Sequence, residues 1–82
     1  MFYVYILKST KFPKQTYIGY TTHLKTRFCH HNSGSSPHTS KYRPWRPEWY
    51  CAFHNKGKAL KFEAYLKSHS GKAFLYKRLI EH

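Results

Sequence analysis

Acidic side chains are almost missing from this sequence. Its 82 residues include 15 Lys and Arg but only three acids, Glu48, Glu63 and Glu81, which gives a formal net charge of +12 at pH 7. A small protein with this charge attracts polyanions and favours contact with phosphate backbones. We therefore expect a nucleic-acid partner, DNA first and RNA as the alternative. The charge leaves open whether the protein acts on that partner or only coats it.

Cysteine and long apolar runs are scarce too. Cys29 and Cys51 are the only cysteines, too few for the disulfide framework of a small secreted domain, so we expect reduced thiols. No run has the length needed to cross a bilayer, and no signal peptide is visible. We expect a soluble, cytoplasmic protein with no membrane partner. It should fold as one domain over residues 1–82, with a core built from the aromatic side chains that make up 20% of the chain.

The local patterns predict an α/β fold with the element order ββαβαα. Strand formers on either side of a turn at Pro13 predict an antiparallel hairpin, and a third, aromatic strand follows later. Thr22 is expected to cap the first helix, Gly34 to end it, and Gly71 to separate the last two helices. Helices would then flank a small three-stranded antiparallel sheet, as in a sandwich. The predicted strands cover 3–7, 15–20 and 49–54, and the predicted helices cover 23–31, 56–68 and 72–80.

Glu63 is the acid whose position is most informative. Ala59, Phe62 and Leu66 form an apolar stripe along the third helix, and Glu63 lies inside that stripe. A carboxylate near a core is costly unless a cation, a metal or hydrogen bonds compensate its charge. One interpretation is a hard oxygen ligand for Mg²⁺ or Mn²⁺. The alternative is an ion pair with a neighbouring Arg or Lys at the edge of the core.

Four further residues have side chains suited to phosphate chemistry. Arg27 and His31 lie four positions apart on one side of the first helix, where a guanidinium suits a phosphate and an imidazole can move a proton. Tyr5 and Tyr17 lie in the middle of the hairpin strands, where a phenol can accept a proton or orient water. Ordinary sheet packing is the alternative for both tyrosines. The turn does not fix the hairpin register, so the sequence does not tell whether the two rings share a face.

The segment from His38 to Arg46 mixes cations with aromatic rings. Such a mixture can follow a nucleic-acid backbone and stack on bases. The alternative is a solvated basic loop whose Trp45 packs on the sheet. The candidate nucleic-acid contacts are Lys41, Tyr42, Arg43, Trp45 and Arg46.

Structural zinc is a competing interpretation of the cysteines and histidines. The run Cys51-Ala52-Phe53-His54 resembles half of a zinc knuckle. No second half follows, however, and the adjacent Cys29 and His30 point to different sides of a helix. The spacing therefore favours zinc only weakly.

Taken together and in order, these motifs resemble the GIY-YIG nuclease superfamily. Tyr3-Val4-Tyr5 is followed by Tyr17-Ile18-Gly19, and then by Arg27, His31 and the helical Glu63, with the spacing of that family. The likeness covers nearly the whole chain and is closest to a small stand-alone bacterial branch, the group UPF0213. This sequence departs from the wider family in two ways. Tyr3 stands where glycine is usual, a change that the branch shares, and no counterpart is seen of the asparagine that follows the catalytic glutamate in longer members.

The resemblance implies a metal-dependent endonuclease that hydrolyses phosphodiester bonds in DNA, in repair or recombination. By resemblance, Glu63 binds a single Mg²⁺ or Mn²⁺ and Arg27 contacts the scissile phosphate. Tyr5 and Tyr17 would activate or position water, and His31 would help to relay a proton. The alternative is a catalytically silent DNA- or RNA-binding module with the same fold. Recognition is expected to come from substrate structure, from a partner chain or from a homodimer.

Overall fold

A three-stranded antiparallel sheet forms the centre of the protein. The structure, a computed structural model, describes residues 1–80; Glu81 and His82, the end of the predicted domain, lie outside the described residues. The strands are β1 (Phe2–Ser9), β2 (Thr16–Thr21) and β3 (Trp45–Phe53), in the spatial order β2-β1-β3. Strands β1 and β2 form the predicted hairpin. The α/β class with a small antiparallel sheet is confirmed.

The helices are α1 (Leu24–Ser33), α2 (Pro37–Ser40), α3 (Lys56–Lys67) and α4 (His69–Phe74), and a π-helical turn at Leu75–Leu79 continues α4. Helix α2 was not predicted, because its four residues lie in a polar stretch that was expected to be a loop. Pro37 at its start has the fixed φ that suits the first helical position. Within residues 1–80, no helix has the length and apolarity needed to cross a membrane.

The two faces of the sheet bury different kinds of side chain. One face, here called the apolar face, packs Val4, Ile6 and Ile18 against α3 and the C-terminal helical segments. The predicted stripe of α3 covers this face: Ala59 and Leu66 are buried in its core, and Phe62 is packed against it. The other face, here called the tyrosine face, contains Tyr5, Leu7 and Trp45 and packs against residues of α1. The buried members on the apolar face are Val4, Ile6, Ile18, Ala59, Leu66, Leu75 and Ile80.

Strand β3 begins at Trp45, four residues before the predicted start. The side chain of Asn32 pairs with the backbone of Trp45: its Oδ1 accepts from the Trp45 N–H at 2.6 Å, and its Nδ2 donates to the Trp45 carbonyl at 3.0 Å. The longer strand includes Pro47, which is tolerated because β3 is an edge strand. A register shift opposite Ile6 and Leu7 also separates the two parts of β3.

The expected caps of α1 are half confirmed. Gly34 ends the helix in the left-handed conformation, with φ 83°, as predicted. Thr22 does not cap the start, because the helix begins one residue later than expected. The Thr22 hydroxyl bonds to Nδ1 of His23 at 2.9 Å, while Oγ1 of Thr21 accepts from the backbone N–H of His23 at 3.0 Å.

The break between α3 and α4 lies at Ser68 and not at the predicted Gly71. Ser68 has extended backbone angles, and its Oγ accepts from the backbone N–H of Gly71 at 3.1 Å, which caps α4. Gly71 lies inside α4, where a Cβ would be 2.8 Å from Cα of Leu66 and would collide with the carbonyl group of Tyr65. The glycine therefore permits the close approach of the two helices and does not interrupt one.

Candidate active site

Tyr5 lies at the centre of the tyrosine face and is fully buried. Its partner across the hairpin is Gly19. A Cβ at position 19 would lie 2.5 Å from Cζ of Tyr5 and would collide with its hydroxyl group. The absence of a side chain at Gly19 therefore lets the phenol lie across β2 and reach toward α1.

Tyr17 lies on the same face as Tyr5, which settles the question that the hairpin turn left open. Tyr17 pairs with Leu7, two residues along β1 from Tyr5, and side chains two residues apart share a face of a sheet. The two tyrosine rings lie 6.2 Å apart between centroids. Tyr17 also lies 4.7 Å from the imidazole ring of His31. Both tyrosines and the histidine thus form one cluster.

His31 connects Tyr5 to helix α2. Its Nε2 lies 2.8 Å from the Tyr5 hydroxyl, and its Nδ1 lies 2.9 Å from Oγ1 of Thr39. Both His31 and Thr39 are completely buried. Burial lowers the pKa of His31 to about 4, and the positive charges of Arg27 and His30 contribute to this shift. The imidazole is therefore neutral at pH 7, with one ring nitrogen available as a proton acceptor.

Arg27 donates the hydrogen bond at the other side of the Tyr5 hydroxyl. Its Nε lies 3.4 Å from the Tyr5 hydroxyl and can only donate. The Tyr5 oxygen therefore accepts from Arg27 and can donate its own proton to Nε2 of His31, whose Nδ1–H then donates to Thr39. Burial raises the pKa of Tyr5 to about 12, so the phenol is protonated at neutral pH. The hydrogen bond to Tyr5 raises the pKa of Arg27 in turn.

Glu63 lies on α3, the helix that packs on the apolar face of the sheet. Its Oε2 lies 3.3 Å from Nζ of Lys67, and its side chain is 19% exposed. The ion pair that was the alternative interpretation of this acid is thus present. The Glu63 charge is also close enough to contribute to the raised pKa of Tyr5. A cleft of about 360 Å³ lies between β2 and the helices α3 and α4, and its lining is Thr16, Tyr17, Ile18, Lys67 and Lys72.

The order of these residues along the chain is that of a known catalytic domain. Residues 1–78 match the family model described as the GIY-YIG catalytic domain. The chain belongs to this family. The resemblance found in the sequence motifs is therefore confirmed over nearly the whole chain.

Several curated relatives of this GIY-YIG domain are similar over most of its length. A UPF0213 protein of Streptococcus pyogenes is 38% identical over 66 residues, 79% of this chain and 70% of that protein. A UPF0213 protein of Vibrio campbellii is 35% identical over 65 residues, 78% of this chain and 61% of that protein. A structure-specific endonuclease subunit SLX1 homolog of Giardia intestinalis is 38% identical over 65 residues, 74% of this chain and 18% of that protein. The chain thus matches less than two thirds of the Vibrio and Giardia proteins.

The GIY-YIG domain offers a metal ion one carboxylate and not a closed cage. Residues 1–80 contain no group of three His, Cys, Asp or Glu side chains that could hold a metal ion together. The zinc interpretation is therefore wrong: Cys29 is exposed, and Cys51 packs against the apolar core. Both cysteines are free, as expected. A half-buried carboxylate such as Glu63 still suits Mg²⁺, which keeps several waters and commonly uses one or two carboxylates plus substrate phosphate.

Trp45 packs on the sheet and does not lie free in a loop. It is only 6% exposed, its Nε1 donates to the carbonyl of Thr39 at 2.8 Å, and its ring lies 6.3 Å from Tyr42. The prediction that Trp45 stacks on bases is therefore wrong, because both the ring and its N–H already have protein partners. The tryptophan instead holds Thr39, and through it His31, in place.

The cations of this basic segment are exposed, whereas Tyr42 is half-buried against the tyrosine face. Arg43 and Arg46 are exposed, and Arg46 pairs with Glu48 at 2.8 Å. Nζ of Lys41 lies 5.5 Å from the ring centroid of Tyr42. A Cβ at Gly34 would collide with the guanidinium of Arg43, so this arginine lies over the end of α1. Nucleic-acid contact by Lys41, Tyr42, Arg43 and Arg46 stays a prediction.

The sequence patterns missed two residues of the site, Thr39 and Asn32. Thr39 binds His31, and Asn32 aligns the start of β3 with the end of α1. Both lie in polar segments in which a single hydroxyl or amide does not stand out. The proline at position 37, which is typical of the first turn of a helix, was the one available signal that Thr39 has a fixed position.

Proposed function

We propose that this chain is an endonuclease that hydrolyses phosphodiester bonds in DNA with the help of a divalent metal ion. The observation that supports the proposal most directly is the buried phenol of Tyr5, which is held between the guanidinium of Arg27 and the imidazole of His31 at 3.4 and 2.8 Å. A pure binding surface has no need of a buried, neutral imidazole behind a phenol. This arrangement suits proton transfer beside a phosphate.

The phenol and the imidazole provide a path for the proton that the attacking water loses. As water attacks phosphorus, its proton passes to the Tyr5 oxygen while the phenolic proton passes to Nε2 of His31. The imidazolium that forms still donates its Nδ1–H to Thr39. Arg27 opposes this charge in the free protein. A bound phosphate neutralises Arg27 and so makes protonation of His31 easier when substrate is present.

Arg27 and Glu63 compensate the negative charge of the phosphate, Arg27 directly and Glu63 through the metal ion that it would bind. The Arg27 guanidinium contacts the scissile phosphate and stabilises the charge that builds up in the transition state. Glu63 would hold the Mg²⁺ or Mn²⁺ ion once its ion pair with Lys67 had opened, and the Lys67 side chain, 54% exposed, can move into solvent. The ion, when bound, neutralises charge on the phosphate and the leaving oxygen. Tyr17, beside both His31 and the cleft, positions the water.

The substrate and setting of the reaction belong to the same proposal. The name of the Giardia relative, a structure-specific endonuclease subunit, supports branched DNA as substrate and a role in repair or recombination. We expect the protein to act in the cytoplasm as a single domain. Specificity would come from substrate shape, a partner chain or a homodimer.

A cleavage panel tests the proposal. Labelled single-stranded, duplex, flap and junction DNA are incubated with Mg²⁺ or Mn²⁺ and wild-type protein, Glu63→Gln or Glu48→Gln. We expect Glu63→Gln to lose cleavage by at least about a thousandfold and to retain DNA affinity, because the carboxylate that holds the ion is gone. Glu48→Gln is the matched control, because it also removes one carboxylate from an ion pair, and it should cleave like the wild type. Cleavage by Glu63→Gln near the wild-type rate would contradict the metal role.

A catalytically silent DNA- or RNA-binding module is the second candidate. It is favoured by the ion pair that occupies Glu63 and by the net charge of +12. Wild-type protein that binds the panel but cleaves none of it, with RNA versions included, would support this candidate instead.

A further inference from the structure

Two tyrosines in contact, the half-buried Tyr3 and the exposed Tyr50, lie on the same face of the sheet as Tyr5. Tyr50 is 55% exposed, although it lies in a strand of the central sheet. Its partner on β1 is Tyr5, and residues directly opposite each other in an antiparallel pair point to the same face. The ring of Tyr3, two residues from Tyr5 on that face, lies 6.3 Å from the ring of Tyr50 at 61°. The two rings therefore continue the tyrosine face beyond Tyr5.

Helix α1 covers one part of this face and leaves the other part open. Phe28 of α1 packs edge-on against Tyr5 at 5.8 Å. Toward the start of β1, Tyr3 is half-buried, and Tyr50 and Ala52 of β3 are exposed. Tyr3 and Tyr5 are separated by two residues of strand, about 7 Å. The Tyr5 residue thus lies between Arg27, which contacts its hydroxyl on the β2 side, and Tyr50, its partner on β3.

We propose that Tyr3 and Tyr50 form a stacking site for an unpaired base next to the phosphate that is cleaved. The proposal rests on the proposed function and specifies its substrate class: DNA with unpaired bases beside the scissile bond. A tyrosine ring stacks on a base whose face is free, and in a duplex both faces of each base are covered by its neighbours. The occupant is a polyanion, because a net charge of +12 attracts nucleic acid and repels basic surfaces. The half-buried Arg27, whose Nε lies 3.4 Å from the Tyr5 hydroxyl, adds positive charge on the same face of the sheet.

The position of the rings separates this site from ordinary strand packing. A tyrosine that served only packing would keep its ring buried. Tyr50 contacts Tyr3 from an edge strand and keeps more than half of its surface exposed. The exposed part of the Tyr50 ring is therefore accessible to a ligand.

Equilibrium binding in the presence of EDTA tests the inference without any need for cleavage. Two fluorescent probes of equal length are used: a blunt DNA duplex, and a duplex with a single-stranded flap. Tyr50→Thr removes the ring and keeps a residue that favours strands, and Tyr50→Phe keeps the ring. Tyr65→Ala, at an exposed tyrosine of α3 on the opposite side of the sheet, is the control. Thermal unfolding establishes that each variant is folded.

We expect Tyr50→Thr to raise the Kd for the flap probe by about tenfold and to change the Kd for the blunt duplex by less than about twofold. Tyr50→Phe and Tyr65→Ala should bind both probes like the wild type. Equal weakening on both probes, or an equal effect of Tyr65→Ala, would overturn the stacking site. The same binding contrast in a protein that cleaves nothing would support the stacking site and contradict only the proposed nuclease activity.

Discussion

The two faces of the sheet are built from the same strands, but one buries apolar side chains and the other buries hydrogen-bonded polar groups. On the apolar face, Val4 and Ile6 pack against Ala59 and Leu66, and none of these four side chains has a hydrogen-bonding group. On the tyrosine face, the neighbouring residue Tyr5 buries a hydroxyl that needs two partners. Alternation along one strand thus places a hydrophobic core and a buried polar network only one residue apart. We therefore predict that mutations on the apolar face lower stability more than activity. Mutations on the tyrosine face should lower activity more than stability.

The largest expected effect on folding comes from the apolar face. Leu66→Ala should lower the free energy of unfolding by about 3 kcal/mol, because Leu66 is completely buried and its loss leaves a cavity. Tyr5→Phe, which leaves Nε2 of His31 without a partner, should cost only about 1–2 kcal/mol. Cleavage at a temperature where both variants are folded should show the reverse order. Urea unfolding and initial rates measure the two effects, and parallel losses in both assays would contradict the division between the faces.

Arg27 should affect the reaction more than the binding of DNA. A guanidinium at the scissile phosphate contributes most when charge builds up, so Arg27→Ala should lower the cleavage rate by about a hundredfold and weaken DNA affinity only modestly. Lys25→Ala is the matched control, because Lys25 is an exposed cation on the same helix. Single-turnover rates and Kd values are measured for both. If the two variants behave alike, Arg27 is one more member of the basic surface.

The last expected effect is a dependence of stability on pH that His31 causes. The folded-state pKa of His31 is about 4, whereas a histidine in an unfolded chain titrates near about 6.5. The unfolded chain therefore binds the extra proton between these values, and stability falls as the pH falls through this window. The His31 contribution should amount to about 2 kcal/mol between pH 7 and pH 5. Urea unfolding of the wild type, His31→Gln and His54→Gln, the last at an exposed histidine, isolates this contribution. Equal pH slopes for wild type and His31→Gln would show that His31 is not buried as a neutral group.

The sequence predicts the elements whose signals are local. The alternation in the hairpin, the stripe of Ala59, Phe62 and Leu66, and Gly34 at the end of α1 each lie within one segment, and each is confirmed. The early start of β3 was not predictable in this way, because it depends on Asn32, 13 residues away. The break at Ser68 was missed for a related reason. Gly71 suggests an interruption, but its role is the contact with the preceding helix.

The candidate active site was also predictable only where its signals are local. Five candidate residues followed from the motifs, but their contacts depend on the hairpin register and on the distance from β1 to α1. Tyr5 and His31 are 26 residues apart in the chain, and no local pattern joins them. Thr39, which orients His31 from α2, has no sequence signature beyond a preceding proline. Long-range hydrogen bonds between buried polar groups are therefore the part of the site that only the folded structure reveals.

The strand position of Gly19 has a consequence for directed evolution of this protein. Glycine inside a strand is unfavourable by roughly 0.5–1 kcal/mol, because its backbone loses more freedom on folding. A library selected only for thermal stability should therefore lose the glycine at position 19 only in clones that also replace Tyr5 by a smaller side chain, because a Cβ at this position collides with the Tyr5 ring. A library selected for cleavage should keep the glycine in every surviving clone. The residue found at position 19 would thus show whether a population was selected for thermal stability or for cleavage.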